Sequence, residues 1–229
     1  MYFDHNFSSI FGYRYLFNDV VKFIGTLDSY ADKNGERLVD IGCGMKPYKK
    51  LFSRYDYIGM DFYPEVSDPD VLGTATNMPF KDDSVDACMT VWVLDDLEEP
   101  ENALREISRV LKTNGYYFAV EAQSTNQHFP GHDYFRFSPD ALAYLAKKHN
   151  LHCVKYKSYG GDFALLGFSA ISIFRRIFYH FHINSVVEWL YCMPINIVFK
   201  TLDVVARRFY PTAFEVNSSG FCYVFKKGE

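Results

Sequence analysis

The segment Leu38-Val39-Asp40-Ile41-Gly42-Cys43-Gly44 sets a carboxylate two residues ahead of paired glycines, at the end of a short apolar run. Glycines placed there let a ligand approach the backbone closely, and the carboxylate selects which ligand. A diphosphate would meet like charge at Asp40. The third glycine of the dinucleotide fingerprint Gly-x-Gly-x-x-Gly is replaced by Pro47, so NAD and FAD fit poorly. A ligand carrying an ammonium or sulfonium group reverses the sign of the interaction. Nineteen residues beyond Gly42, Asp61 closes a second apolar run and is placed to accept hydrogen bonds from the ribose hydroxyls of an adenosine group, with Phe62 and Tyr63 as walls for the base. Cys43 reads as a small packing residue, because no base is identifiable beside it to make it a nucleophile.

These residues need strands to hold them. Arg37–Ile41 and Tyr57–Asp61 have the length and composition of buried strands, and Val85–Val93 is a third strong apolar run. Helical spacing appears over 16–30, ended by Asn34-Gly35, and over Pro100–Lys112, ended by Thr113-Asn114-Gly115 before a strand at 116–120. Pro47 to Phe52 predicts the start of another helix. Ser138-Pro139-Asp140 opens a further one, which runs to about His149 with Asn150 in the left-handed position after it. Leu151–Lys157 and Phe221–Lys226 predict two last strands. The alternation of strand and helix requires a mostly parallel sheet, because parallel strands are joined only by crossovers. The expected organisation is one α/β domain over 1–229: a helical cap over 1–35, a core over 36–158, a helical insertion over 160–219 and a last strand over 220–227.

Composition narrows the function classes. The 229 residues are 48% apolar and 23% charged, which excludes a disordered or disulfide-built chain. Rings make up 18% of the sequence, enough to line a pocket as well as a core. A net charge of −4 supplies no basic field for nucleic acid, and five scattered cysteines without metal spacing predict a reduced, cytoplasmic protein without a metal site. The N-terminal segment has neither a basic leader nor a small-residue cleavage site and reads as part of the mature fold. The longest apolar run, 163–174, is followed by Arg175 and Arg176 and is too short to span a bilayer.

Four segments together carry a family resemblance. Leu38–Gly44 is similar to the first motif of class I S-adenosylmethionine-dependent methyltransferases, and Tyr57–Asp61 to their ribose-binding strand. Asn77-Met78-Pro79-Phe80-Lys81-Asp82-Asp83-Ser84-Val85-Asp86 resembles their segment before the fourth strand, and Ala103–Lys112 their "ALREI-x-RVLK" helix. The resemblance covers roughly 36–158 plus the last strand. It implies a doubly wound, mostly parallel seven-stranded sheet and S-adenosyl-L-methionine as cofactor. It places Asp40, Gly42, Cys43, Gly44, Asp61 and Phe62 around the cofactor, with Ala75, Thr76 and Asn77 at adenine and Val91 and Trp92 beside the methionine part. The chain departs from the pattern at Lys46, where a third glycine is usual, at Thr74, where many relatives have Asp, and at Asp95-Asp96, in place of Glu-His.

The polar and aromatic loop 123–137 follows the fifth strand and carries His128, His132, Asp133, Tyr134 and Arg136. His-Asp-Tyr-Phe-Arg-Phe-Ser-Pro is similar to a segment of relatives that methylate sugars or lipid-linked intermediates. This makes His132, with Asp133, the candidate base or acceptor-orienting group. The competing reading has the pair simply tying the loop to the next helix. Glu121, at the end of the fifth strand, is within reach of the same place. The aromatic segment 2–17, with Tyr13 and Arg14, offers a lid.

The expected function is methyl transfer to an oxygen or nitrogen of a small molecule, glycan or lipid-linked intermediate. The alternative is a noncatalytic methyltransferase-like binding protein, to which Lys46, Thr74 and Asp95 point. Nucleic-acid methylation ranks last, since the chain has no Asn/Asp-Pro-Pro-Tyr motif and no basic groove. Residues 163–210 carry a net charge of +3. Ile195, Val198, Phe199, Leu202, Val205 and Phe209 step along one helical face there, opposite a basic polar face. That helix is either a lid packed on the domain or a weak contact with anionic membrane at the inner face.

Overall fold

The computed structural model describes residues 14–124, 132–180, 185–210 and 218–229. The chain divides into two compact units, one of residues 21–157 with 220–229 and one of residues 1–20 with 158–219.

The larger unit is built on a seven-stranded sheet of the described residues, with strand order β3-β2-β1-β4-β5-β7-β6. The strands are β1 (Glu36–Ile41), β2 (Tyr55–Asp61), β3 (Val71–Leu72), β4 (Val85–Val91), β5 (Leu111–Ala122), β6 (Leu151–Tyr159) and β7 (Gly220–Lys227). Pairings among β3, β2, β1, β4 and β5 are parallel, and β7 runs antiparallel to β5. The sheet is the doubly wound one expected from the alternation of elements. Order reverses at β1 and β4, and at such a switch point a crevice opens beyond the strand ends. Leu38–Ile41 and Ala87–Thr90 are buried continuously, as central strands covered on both faces must be.

The helices of this unit are α2 (Pro100–Val110) and α3 (Pro139–Lys148), while α1 (Arg14–Ile24) runs from the smaller unit into it along the chain. Pro100 opens α2, and its Ala103, Leu104, Ile107 and Val110 are buried in the core with Val39, Cys88 and Tyr117. Ser138 caps α3 by accepting from the Ala141 N–H at 3.3 Å, and Asn150 takes φ +59° just past its end, both as the sequence predicted.

Three elements differ from expectation. Helicity over 16–30 stops at Ile24, where the Thr26 hydroxyl donates to the Phe23 carbonyl at 2.7 Å and a 3-10 turn, Leu27–Tyr30, follows. The expected helix from Pro47 shrinks to a 3-10 turn over Lys49–Leu51. Asp28 explains this: it accepts from the Ser53 hydroxyl at 2.7 Å and the Arg54 N–H at 2.8 Å, drawing the chain directly into β2. The turn expected at 113–115 is a kink within β5, with Asn114 at φ +66° and a register shift against β4 between Val85 and Ala87.

The smaller unit contains a helical hairpin, α4 (Asp162–His180) and α5 (Ser185–Phe209). Gly167 lets the helices close up, since a Cβ there would lie 2.9 Å from that of Phe199, and Phe174 meets Tyr191 with ring centroids 4.3 Å apart. Buried Asp203 accepts from the N–H groups of Gly161 at 3.2 Å and Ala164 at 3.4 Å, capping α4. Arg207 pairs with Asp19 at 3.3 Å and with Asp203 at 3.9 Å. The two faces expected of this helix are only partly kept, since Lys200, Thr201 and Arg208 of the polar face are exposed and Ile195 and Phe199 of the apolar face are half-buried. Asp203 and Arg207 are turned into the unit, while Val198, Leu202, Val205 and Phe209 are exposed. Among the described residues no helix is long and apolar enough to cross a membrane.

Candidate active site

Asp40 lies next to the end of β1, within its buried part, and is only 2% exposed. On the facing strand Gly59 lies directly opposite it, and Tyr57, one pleat away on the same face, donates its hydroxyl to the Asp40 carboxylate. Burial raises the Asp40 pKa to about 7; the Tyr57 hydrogen bond pulls it down, and the Asp61 charge pushes it up. A carboxylate held there near neutrality gains most from a cation, whose field would restore its ionised form.

Beyond β1 the chain makes the close turn that its glycines allow. Gly42 has φ +71° and Gly44 φ +51°, and a Cβ on Gly42 would lie 2.7 Å from the Val93 side chain that follows β4. Lys46, at the position of the missing third glycine, adopts φ +53°, so the backbone keeps a left-handed residue there without the glycine. Its ammonium pairs with Asp68 and Asp70, each at 3.0 Å, and Asp70 also accepts from the Gly59 N–H at 2.8 Å. Gly59 is needed for this packing, since a Cβ there would lie 2.8 Å from both Cys43 Sγ and Lys46 Cδ. Cys43 is buried and its thiol is pushed up to about 12, chiefly by desolvation, in keeping with a packing role.

Asp61 reaches back across the same turn. One oxygen accepts from the Gly44 N–H at 2.9 Å, and the other from the N–H groups of Phe62 at 2.7 Å and Tyr63 at 3.1 Å. It thus ties the glycine loop to the end of β2. Phe62 and Tyr63 are exposed and meet edge to face at 4.9 Å between centroids.

Ala75, Thr76 and Asn77 form a tight turn closed by the Asn77 N–H on the Thr74 carbonyl at 3.1 Å, with Ala75 buried and its two neighbours exposed. The turn is positioned from α2. Glu106 accepts from the Met78 N–H at 2.9 Å, while Arg109 donates to the carbonyls of Met78 at 3.0 Å and Phe80 at 2.8 Å. Arg109 also holds Glu106, which lowers the Glu106 pKa. Val91 and Trp92 follow from β4; Trp92 is half-buried at φ +55°, with its N–H on the Val120 carbonyl at 2.8 Å. For a bulky residue that backbone is strained, and such strain is found where surrounding structure insists on it.

On the far side of the sheet edge, the Asp95 carbonyl accepts from the N–H groups of Tyr134 at 2.8 Å and Phe135 at 3.1 Å, fixing the loop before α3. Asp133 forms a two-pronged pair with Arg136, which lies 3.8 Å from the buried Asp95 carboxylate. Carboxylate oxygens of Asp95, Asp96 and Asp133 lie within 4.8 Å of one another. Glu121 is fully buried and accepts from the Leu94 N–H at 3.3 Å; burial, with Asp95 nearby, raises its pKa well above the ordinary range. His132 is exposed. His128 and Tyr13 lie outside the described residues, as does the side chain of Arg14.

The site thus gathers the first-motif residues, Asp61 and the turn after β4 at one edge. Tyr57, Gly59, Lys46, Glu106, Arg109 and Arg136 complete it and were not singled out as site residues from the sequence. The period-2 pairing of β1 with β2 would have put Tyr57 on the face of Asp40, given the register.

Residues 39–119 match the model of a family described as a methyltransferase domain. The human protein named "Probable tRNA methyltransferase 9B" is 30% identical over 115 residues, 44% of this chain and 25% of that protein. The chain thus spans about a quarter of the length of that curated relative. Among solved structures, phosphoethanolamine N-methyltransferase 2 of Haemonchus contortus superposes with TM-score 0.58 at 13% identity, covering 95% of this chain and 56% of that one. The [4+2]-cyclase SpnF does so with TM-score 0.58 at 14% identity, covering 92% and 81%. At such identities these two likenesses show the fold alone, while the family match covers the glycine loop, Asp61 and the turn at 75–77. By that match, the chain carries a methyltransferase domain over residues 39–119.

Proposed function

We propose that the chain binds S-adenosyl-L-methionine at the β1–β4 edge and directs its methyl group to an oxygen or nitrogen of a small molecule, glycan or lipid-linked intermediate. The observation that carries the reading is the buried Asp40 carboxylate with its pKa raised to about 7, beside an open glycine turn: apart from Gly44's own chain neighbours, no heavy atom lies within 4 Å of where a Cβ on Gly44 would be. The residues fit a cationic nucleoside. Asp40 supplies the counter-charge, Gly42 and Gly44 admit close approach, Asp61 has acceptor capacity beyond its three backbone donors, and Ala75–Asn77 form a wall. When bound, the cofactor supplies a methyl group already activated by its sulfonium.

The protein's remaining work is to align the acceptor and exclude water. Asp133 and Arg136 hold the loop that follows β5, and their pairing supports a positioning role for Asp133. His132 is the group proposed to take a proton from, or orient, the acceptor. The acceptor side is rich in carboxylates, namely Asp95, Asp96, Glu98, Glu99 and Asp133, with Arg136 among them. That balance disfavours a polyanionic acceptor such as RNA, in spite of the tRNA-directed name of the human relative.

Calorimetry with S-adenosylhomocysteine tests the reading. Saturable binding is expected, and no heat at millimolar ligand would favour the noncatalytic alternative. For His132, a His132→Gln variant is expected to lose turnover while keeping cofactor affinity.

A further inference from the structure

Much of what α5 shows to solvent is apolar. Leu190, Ile197, Val204 and Phe209 are 56–71% exposed, and with Met193, Val198, Leu202 and Val205 they spread over roughly half the circumference of the helix at ~100° per residue. Thr201, within this arc, turns its hydroxyl back on the Ile197 carbonyl at 2.8 Å. On α4, exposed Leu166, Ile173 and Ile177 fall on a single line along the helix. Toward the C-terminal end of α5 the face dips into a groove of about 370 Å³, whose lining includes Asp162, Phe163, Leu202, Val205, Phe209 and Tyr210. An apolar face of this extent marks a surface that something covers.

The charges on that face choose the occupant, because they complement each other. Arg208 is exposed within the arc, in line with Leu190 and Ile197, and Asp162 is exposed at the groove. Among the described residues neither is held in an ion pair within the chain, whereas Lys200, at the edge of the arc, already has an interaction of its own. A partner offering apolar surface alone would bury Asp162 and Arg208 unmatched, and a partner of one sign would repel one of them. A second copy offers both signs, and a two-fold axis repeats each contact reciprocally. Antiparallel α5 helices related by such an axis at the level of Val205 set residue 208 of one copy beside residue 202 of the other, where Asp162 lines the same groove as Leu202. We propose that this face joins two copies of the chain, paired antiparallel along the C-terminal part of α5, with Arg208 of each copy meeting Asp162 of the other. This proposal does not depend on the methyl-transfer reading.

The test is sedimentation velocity of the full chain across a series of micromolar concentrations, where a monomer–dimer equilibrium is expected. Leu202→Gln with Val205→Gln should weaken the dimer about tenfold. Asp162→Lys and Arg208→Glu should each weaken it severalfold, and the two together should restore it, because the exchanged charges meet again across the axis. These positions are exposed, so circular-dichroism melting should match the parent at concentrations where it is monomeric. If Asp162→Lys melts lower, through its place in the first turn of α4, the pair Asp162→Asn and Arg208→Ala replaces the exchange, and the double variant should then dimerise no more weakly than either single one. A chain that stays monomeric throughout would overturn the proposal, and so would a dimer that ignores the groove substitutions or shows no coupling between the two charges. A monomer that cosediments with phosphatidylglycerol vesicles through the same residues would assign the face to lipid and also overturn it.

Discussion

The β1–β2 half of the sheet edge and the β4–β5 half each bury a carboxylate, with opposite consequences. Asp40 sits beside one phenol, faces glycine across the strand pair, and titrates at about 7. Glu121 sits beside Asp95 and accepts backbone N–H groups of the turn after β4, and burial, with Asp95, pushes its pKa well above the ordinary range. The first is poised to answer a cationic ligand at neutral pH. The second is a strut that holds a turn. Burial alone therefore does not make a carboxylate functional; what matters is whether an open glycine turn and a pKa near working pH lie at the same place.

The sharpest way to break this contrast is Asp40→Asn. It should weaken S-adenosylmethionine binding by about 10- to 100-fold, the scale of losing one charge-assisted contact, as read by calorimetry. Glu121→Gln should leave affinity unchanged. Equal losses in the two variants would erase the distinction between ligand-facing and structural carboxylates.

The same group predicts a pH dependence. Below pH 7 Asp40 is protonated and offers a cation no charge, so affinity should be about tenfold lower at pH 6 than at pH 8 in the parent and flat in Asp40→Asn. Stability should move the other way. The folded pKa of about 7 lies above the ordinary 3.8, so the folded state binds the extra proton between these values and loses stability as pH rises through them. Asp40→Asn should therefore melt higher than the parent at pH 8 and match it near pH 4.

Gly59→Ala tests whether the loop packing is as tight as its distances imply. Pushing a methyl against Cys43 and Lys46 should cost about 1–3 kcal/mol in denaturant unfolding and weaken cofactor binding with it. The smallest effect is expected for Glu121→Gln on stability, within about 1 kcal/mol, because burial and the neighbouring Asp95 already disfavour the charge that the amide removes. A larger loss, varying with pH, would mean that Glu121 is ionised in the folded protein.

Much of the cofactor half was legible in the sequence because its logic is local. Asp40, Gly42 and Gly44 lie within five residues, and left-handed backbone at glycine is a property of the residue itself. The turn at Ala75–Asn77 could be read only through family resemblance, since its geometry is imposed by Glu106 and Arg109 of a helix that follows in the chain. The acceptor half was less legible still. Asp133 next to His132 suggested a pair, while the engagement of the Asp133 carboxylate by Arg136 was not foreseen. The amphipathic pattern of α5 was visible, but which side faces the protein was not: periodicity reports that two faces differ and is silent on which one is covered.

By itself, then, the sequence determined the alternation of strands and helices, the glycine turn and the acidic ends of the first two strands, because backbone preference and hydrophobic period act over a few residues. Only the tertiary structure decided that Asp40 titrates near neutrality, that Lys46 can stand in for a glycine, and that α5 turns its apolar arc outward. Those properties depend on desolvation and on partners brought together from distant parts of the chain, and no short-range pattern encodes them.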